Sequence, residues 1–349
     1  MKKLLSTLCC LFVVVSFNSC VNDDSTGDPV VPPGPEPDKV VNIKTFDKEH
    51  LGFGGGLEQT AVKTFTFPTD MDKVKNIKLY LQLACPTAGC NIWDMYANVQ
   101  AKDKTTGKWY EIARYITPYG RSTEVLERGL VVDVTDFKSV LQGATELRIF
   151  IEVWGADGWL VSTDFDYTYG TPDYKYYEVE EVMAYNKNSL EGVPYGETHN
   201  FDLTHSIQIP TNAESAHIRT IISGWGHATP MEAGRGCAEW CYRTHHVWIN
   251  SEEKFSHELK AEGCASNPIN NQRGNWKPDR AGWCPGMMVP VRIDKFTNSV
   301  AGQNLNFEYK FQPWTNDMQA QIDNPHAYYA ISNYIVVKSN SPIVKPIVN

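Results

Sequence analysis

The stretch Ile77-Lys78-Leu79-Tyr80-Leu81-Gln82-Leu83 decides the fold class. Apolar residues stand at every second position with Lys78, Tyr80 and Gln82 between them, the period of a strand with one face on a core, not the 3.6-residue period of a helix. The pattern repeats outward. Tyr96 to Lys102 and Trp109 to Ile116 flank Asp103-Lys104-Thr105-Thr106-Gly107, a hairpin with a longer glycine-containing loop, and Leu147 to Trp154 and Phe165 to Tyr169 extend the series. Tyr169-Gly170-Thr171-Pro172-Asp173 is rich in turn formers. Strand signals resume beyond it at Ile207 to Pro210, His217 to Ile222, His245 to Ile249, Phe307 to Phe311 and Tyr328 to Val337, the last two bracketing a polar loop. Neither half shows a long amphipathic helix or repeats the other. The 349 residues suit two cores, and the 25 Gly and 20 Pro suit short strands joined by turns. The expected fold is all-β, two side-by-side antiparallel β-sandwich domains at 41–172 and 173–349.

The N-terminus sets the expected compartment. Lys2 and Lys3 precede an apolar run from Leu4 to Phe17, too short to span a bilayer permanently, and Ser19-Cys20 follows. The segment is similar to a bacterial lipoprotein signal, 1–19, with Cys20 as the lipidated residue, although Asn18 is atypical. Residues 20–40, with Asp23, Asp24 and Val31-Pro32-Pro33-Gly34-Pro35-Glu36-Pro37, carry too little apolar surface for a core and form an extended tether. Acidic residues behind the lipidated Cys also resemble a surface-export signal. The expectation is an exported lipoprotein of the outer membrane, with periplasmic and cell-surface orientations both open, monomeric, and touching membrane through its lipid alone. A net charge of −9 gives no basic footprint for nucleic acid.

Of nine cysteines, Cys9 and Cys10 leave with the signal and Cys20 takes the lipid, so six remain: Cys85, Cys90, Cys237, Cys241, Cys264 and Cys284. Several pairings are open in an oxidising compartment, and proximity favours Cys85 with Cys90 and Cys237 with Cys241, leaving Cys264 with Cys284. A zinc site built from the two short-spaced pairs would need ligands from both domains.

Three acids stand within two positions of a Trp and are the candidates for chemistry: Asp94 after Trp93, Glu152 before Trp154, and Glu239 before Trp240. Indole faces pack on the apolar faces of pyranose rings while carboxylates hold hydroxyls or move protons, so the combination points to a sugar-processing site. Glu111 and Asp157 share the spacing, and surface acids beside core aromatics would produce it too. Asp94 follows one short cysteine loop and Glu239 lies inside another, an arrangement that would fix both carboxylates. Glycoside hydrolysis and amide hydrolysis are both open to such a set.

Longer runs resemble the peptide:N-glycosidase F family. They include Ile222-Ser223-Gly224-Trp225-Gly226-His227-Ala228, Arg235-Gly236-Cys237-Ala238-Glu239-Trp240-Cys241, Asn267-Pro268-Ile269-Asn270-Asn271-Gln272 and Asp279-Arg280-Ala281-Gly282-Trp283-Cys284-Pro285-Gly286. Val41-Asn42-Ile43-Lys44-Thr45-Phe46-Asp47 carries the resemblance into the first half, so that it covers about 41 to 349. The resemblance implies two jelly-roll-like sandwiches with the site between them and the same three cysteine pairs. It also implies hydrolysis of the amide between asparagine and the innermost N-acetylglucosamine of N-linked glycoproteins and glycopeptides, with no cofactor and no metal. It places the principal catalytic acid on Asp94, the supporting acids on Glu239 and Glu152, and glycan contacts on Trp154, Trp225, His227, Trp240, Arg280 and Trp283. This chain departs from the family beside Asp94, where Asn91, Ile92 and Met95 replace two acids and an arginine. Two other readings compete: a glycan-binding surface lipoprotein without catalysis, and a copper monooxygenase using His245, His246, His227, Met287 and Met288.

Overall fold

The computed structural model describes residues 38–186, 192–317 and 327–349. The signal segment, Cys20 and most of the tether lie outside the described residues. The tether expected through residue 40 overlaps the first strand, Lys39–Lys44.

The alternating stretch lies in the strand Val74–Ala84, whose Ile77, Leu79, Leu81 and Leu83 are buried. Its antiparallel sheet runs in the order Lys39–Lys44, Trp159–Tyr169, Val74–Ala84, Leu130–Asp133, with Glu49–Leu51 also paired to Trp159–Tyr169. The second sheet runs Thr60–Phe67, Gly143–Ile151, Tyr96–Lys102, Trp109–Ile116. Side chains of both sheets meet in one core, which includes Leu79, Val99, Ile149 and Phe165.

Beyond Tyr169 the chain builds a second sandwich. One sheet runs Tyr176–Tyr185, Tyr328–Ser339, Ser215–Trp225, Val291–Lys295, and the other Glu252–Leu259, Arg243–Ile249, Asn304–Phe311, Thr204–Gln208, Ile347–Val348. A hairpin, His227–Glu232 with Arg235–Ala238, stands apart from both. The sheet containing Tyr328–Ser339 is buried on both faces: Tyr334 and Val336 enter the core of the first sandwich, Ile335 and Val337 that of the second. Alternation along one strand thus serves two cores, which is why this segment reads as a continuous apolar run.

Polar contacts complete the join. Arg114, fully buried, pairs with Glu111 at 2.7 Å and donates across to Ser223 Oγ at 3.0 Å and Ala330 O at 2.6 Å. Asp136 of the first sandwich meets His217 and Arg219 of the second at 3.0 and 3.1 Å. The strand expected from Leu147 to Trp154 ends at Ile151. Glu152 N still donates to Tyr96 O, but Val153 N turns back to Ile151 O, and the next residues form a loop that carries Trp154 into solvent.

Candidate active site

Asp94 sits on a short loop tied at both ends. The Cys85–Cys90 disulfide closes the turn before it. Asn91 then holds the loop to its neighbours: its N–H donates to Gly158 O, its Nδ2 to Asp157 Oδ1 at 3.1 Å, and its Oδ1 accepts from Trp93 N at 3.1 Å. Thr117 grips the far end, accepting from Met95 N and donating to Trp93 O through one hydroxyl. Of the residues that depart from the family, Asn91 therefore acts on loop geometry, supplying through Nδ2 a donor that a carboxylate could not.

Glu239 is fixed by a second loop, closed by the Cys237–Cys241 disulfide. Ala238 before it is left-handed, φ 71°, a conformation that costs an L-residue energy and turns the chain so that Glu239 N donates to Gly226 O while Glu239 O accepts from Ala281 N. The loop can lie this close because residue 224 is glycine: a Cβ there would stand 2.3 Å from Ala238 O.

Arg280 joins the two acids. Fully buried, it donates through Nη2 to Asp94 Oδ2 at 3.0 Å, to the Tyr119 hydroxyl at 3.0 Å and to Asn275 O, while Nε lies 3.4 Å from Glu239 Oε1. Its guanidinium lies over the rings of Trp240 at 4.6 Å and Trp283 at 5.0 Å. Trp283 in turn stacks on Trp225 at 4.3 Å and donates its indole N–H to Gly224 O. Trp225 donates to Ser223 Oγ, the same hydroxyl that Arg114 reaches. Trp240, Arg280, Trp283 and Trp225 thus form a column, and cation–π contact inside it holds a charge that burial alone would expel. Trp283 is buried and offers no free face to a sugar; its contact is with Arg280.

These surroundings set the ionisation of Asp94. Burial pushes its carboxyl up, Arg280 opposes this and the charge of Glu239 adds to it, leaving the group at about 7. Asp94 is therefore poised to take up or release a proton near neutrality. His227 is held above its ordinary value by its hydrogen bond to Glu239 Oε2 at 3.1 Å. The same Nε2 stands 3.0 Å from the Trp240 indole nitrogen, which can only donate. One ring nitrogen cannot donate to Glu239 and accept from Trp240 in the same state. The raised pKa favours imidazolium, with its proton on the Glu239 side.

Glu152 is buried just past the end of its strand. Its charge acts on Tyr328, whose hydroxyl is held well above its usual range by burial, then by Glu152, and more weakly by Glu239. So the structure brings Asp94 and Glu239 onto one guanidinium, while the charges of Glu152 and Glu239 both act on the Tyr328 hydroxyl. Tyr119 and Tyr328 had no motif to reveal them. Tyr119 packs where residue 274 is glycine, since a Cβ there would meet the ring at 2.2 Å.

The six cysteines form the three disulfides favoured by proximity, with Cys264 bound to Cys284, so their sulfurs are not thiolate ligands for zinc. The copper reading fails on placement. His245 is buried against the rings of Tyr309, Phe311 and Tyr329, His246 turns to Glu253 and His227 to Glu239. Surface clefts of about 400 and 470 Å³, lined by residues such as Phe255 and Phe296 or Lys138 and Tyr177, contain none of the three acids.

The chain is 58% identical over 313 residues to peptide-N(4)-(N-acetyl-beta-D-glucosaminyl)asparagine amidase F of Elizabethkingia miricola, covering 89% of this chain and 87% of that protein. It belongs to the peptide:N-glycosidase F family. The family's C-terminal profile, described as peptide-N-glycosidase F, C terminal, matches residues 195–336. The solved structure of PNGase F, described as a glycosylasparaginase from Flavobacterium meningosepticum, superposes with a TM-score of 0.86 at 58% identity, covering 89% of this chain and all of that one. PNGF-II shares the fold at 14% identity, with a TM-score of 0.66 over 87% of this chain and 65% of its own.

Proposed function

We propose that this chain hydrolyses the amide joining an asparagine side chain to the innermost N-acetylglucosamine of N-linked glycoproteins and glycopeptides. The products are aspartate and a glycosylamine that later loses ammonia. The observation that carries the reading is the pair Asp94 and Glu239 on one buried guanidinium, with the Asp94 carboxyl at about 7. Amide hydrolysis needs a group that removes a proton from water as it adds to the carbonyl carbon and returns one to the nitrogen as the C–N bond breaks. A carboxyl that titrates near neutrality does both. Glu239, oriented by His227 and Arg280, positions the water, and Glu152 beside Tyr328 holds the proximal sugar.

The test is incubation with a denatured N-glycoprotein in heavy-oxygen water. Heavy oxygen in a new aspartate at the former glycosylation site supports the amidase, and Asp94→Asn is expected to slow that incorporation by roughly 10²- to 10⁴-fold. Glycan bound but never released would leave a lectin-like surface protein instead. We further propose that the protein is an exported, monomeric lipoprotein anchored through Cys20; labelled palmitate should enter the wild type and not Cys20→Ser.

A further inference from the structure

Among the described residues four aromatic side chains are counted as exposed, and three of them, Phe53 (50%), Trp93 (58%) and Trp154 (63%), belong to loops that hydrogen bonds gather at one place. Phe53 N donates to Gly155 O, and its ring meets Trp154 edge-on at 5.1 Å. Asn91, two residues before Trp93, is bonded to Asp157 and Gly158 of the Trp154 loop. Ile92, 49% exposed, stands between Asn91 and Trp93. Exposed apolar side chains scattered singly need no explanation, but a cluster beside a candidate site marks a binding surface.

We infer that Phe53, Ile92 and Trp93 seat the polypeptide on either side of the glycosylated asparagine and favour apolar flanking residues. This rests on the amidase reading. The carbonyl carbon under attack is only two bonds from the asparagine Cα, so the substrate main chain passes within one residue of Asp94. Its neighbouring side chains then fall on the residues next to Asp94 in sequence, Trp93 and Ile92. The indole face of Trp93 suits a pyranose ring as well as a peptide side chain, but Ile92 beside it offers the hydroxyls of a sugar neither donor nor acceptor. An aliphatic or aromatic peptide side chain loses nothing polar on that surface and gains the burial of its own carbon.

The experiment uses two glycopeptides with one glycan, differing only in whether Leu or Ser stands immediately before and after the asparagine. The wild type is expected to favour the Leu peptide by roughly tenfold in kcat/KM, through KM. Phe53→Ser and Ile92→Ser should each bring that ratio towards one. Both side chains are half-exposed in loops, and a melting curve on each variant confirms its fold. A wild-type ratio near one, or variants that keep the wild-type ratio, overturns the inference. So does a variant effect that follows the number of sugars at constant peptide, which assigns the rim to the glycan. Glycan released from neither peptide by the wild type refutes the amidase reading itself, a result separate from equal release from both.

Discussion

Asp94 gains a proton far more readily in the folded chain than in the unfolded one, because burial, Arg280 and Glu239 leave its carboxyl at about 7 against an ordinary 3.8. For the rate, the ionised form must act as base, so kcat/KM is expected to rise with pH through an apparent pKa near 7. The charge of Glu239 lifts that value; in Glu239→Gln the residual activity should show the same limb at lower pH, readable from a pH–rate profile on a glycopeptide. For stability the sign runs the other way. A carboxyl raised on folding contributes stability that is full below about pH 4 and lost as pH climbs through 7, a difference of up to about 4 kcal/mol for three pH units. Asp94→Asn, which cannot ionise, is therefore expected to be more stable than the wild type at pH 8, by up to about 4 kcal/mol, and equal to it near pH 4; urea unfolding at both values checks this. His227, raised by Glu239, likewise loses its contribution as pH rises above 6.5. The residues that make the site reactive make the fold less stable in the same range.

Two loops and one hairpin turn a plain β framework into a site. Gly224 lets the hairpin that leads to Glu239 approach its sheet. In Gly224→Ala the new methyl would stand 2.3 Å from Ala238 O and 2.7 Å from the Tyr329 ring. A loss of about 1–3 kcal/mol in chemical denaturation is expected, with a fall in kcat larger than that stability change alone produces. The element scale also shows what the sequence could and could not reveal. Tyr96–Lys102 and Trp109–Ile116 were legible to the residue, because a glycine-bearing loop joins two strands of clear pattern. Thr60–Phe67 and Glu252–Leu259 were not, because little of either strand is buried: Val62 is exposed on the first, and His257 takes an inner position on the second where an apolar residue would mark the period. The strand through Glu152 looked longer than it is, since Val153 and Trp154 continue an apolar pattern while the backbone has already turned. The three acids were legible from their Trp neighbours and the family resemblance. Tyr119, Tyr328 and the stacking of Arg280 between two indoles were not, because those contacts join residues far apart in the chain.

At the scale of the molecule the two sandwiches are locked by buried charges. Glu111 accepts from Arg114, Tyr96 and Asn186, and Arg114 reaches Ser223 and Ala330 of the other sandwich. Glu111→Gln removes the countercharge and leaves a buried guanidinium, so a loss of about 3–5 kcal/mol is expected, measured as a lowered denaturation midpoint. The sheet that holds Tyr328–Ser339 has a further consequence. Because alternate side chains of a single strand plug into opposite interiors, the interior of the first half is completed by Tyr334 and Val336 of the second. An excised half would present a bare greasy wall, and the intact chain should melt cooperatively, in one calorimetric peak rather than two.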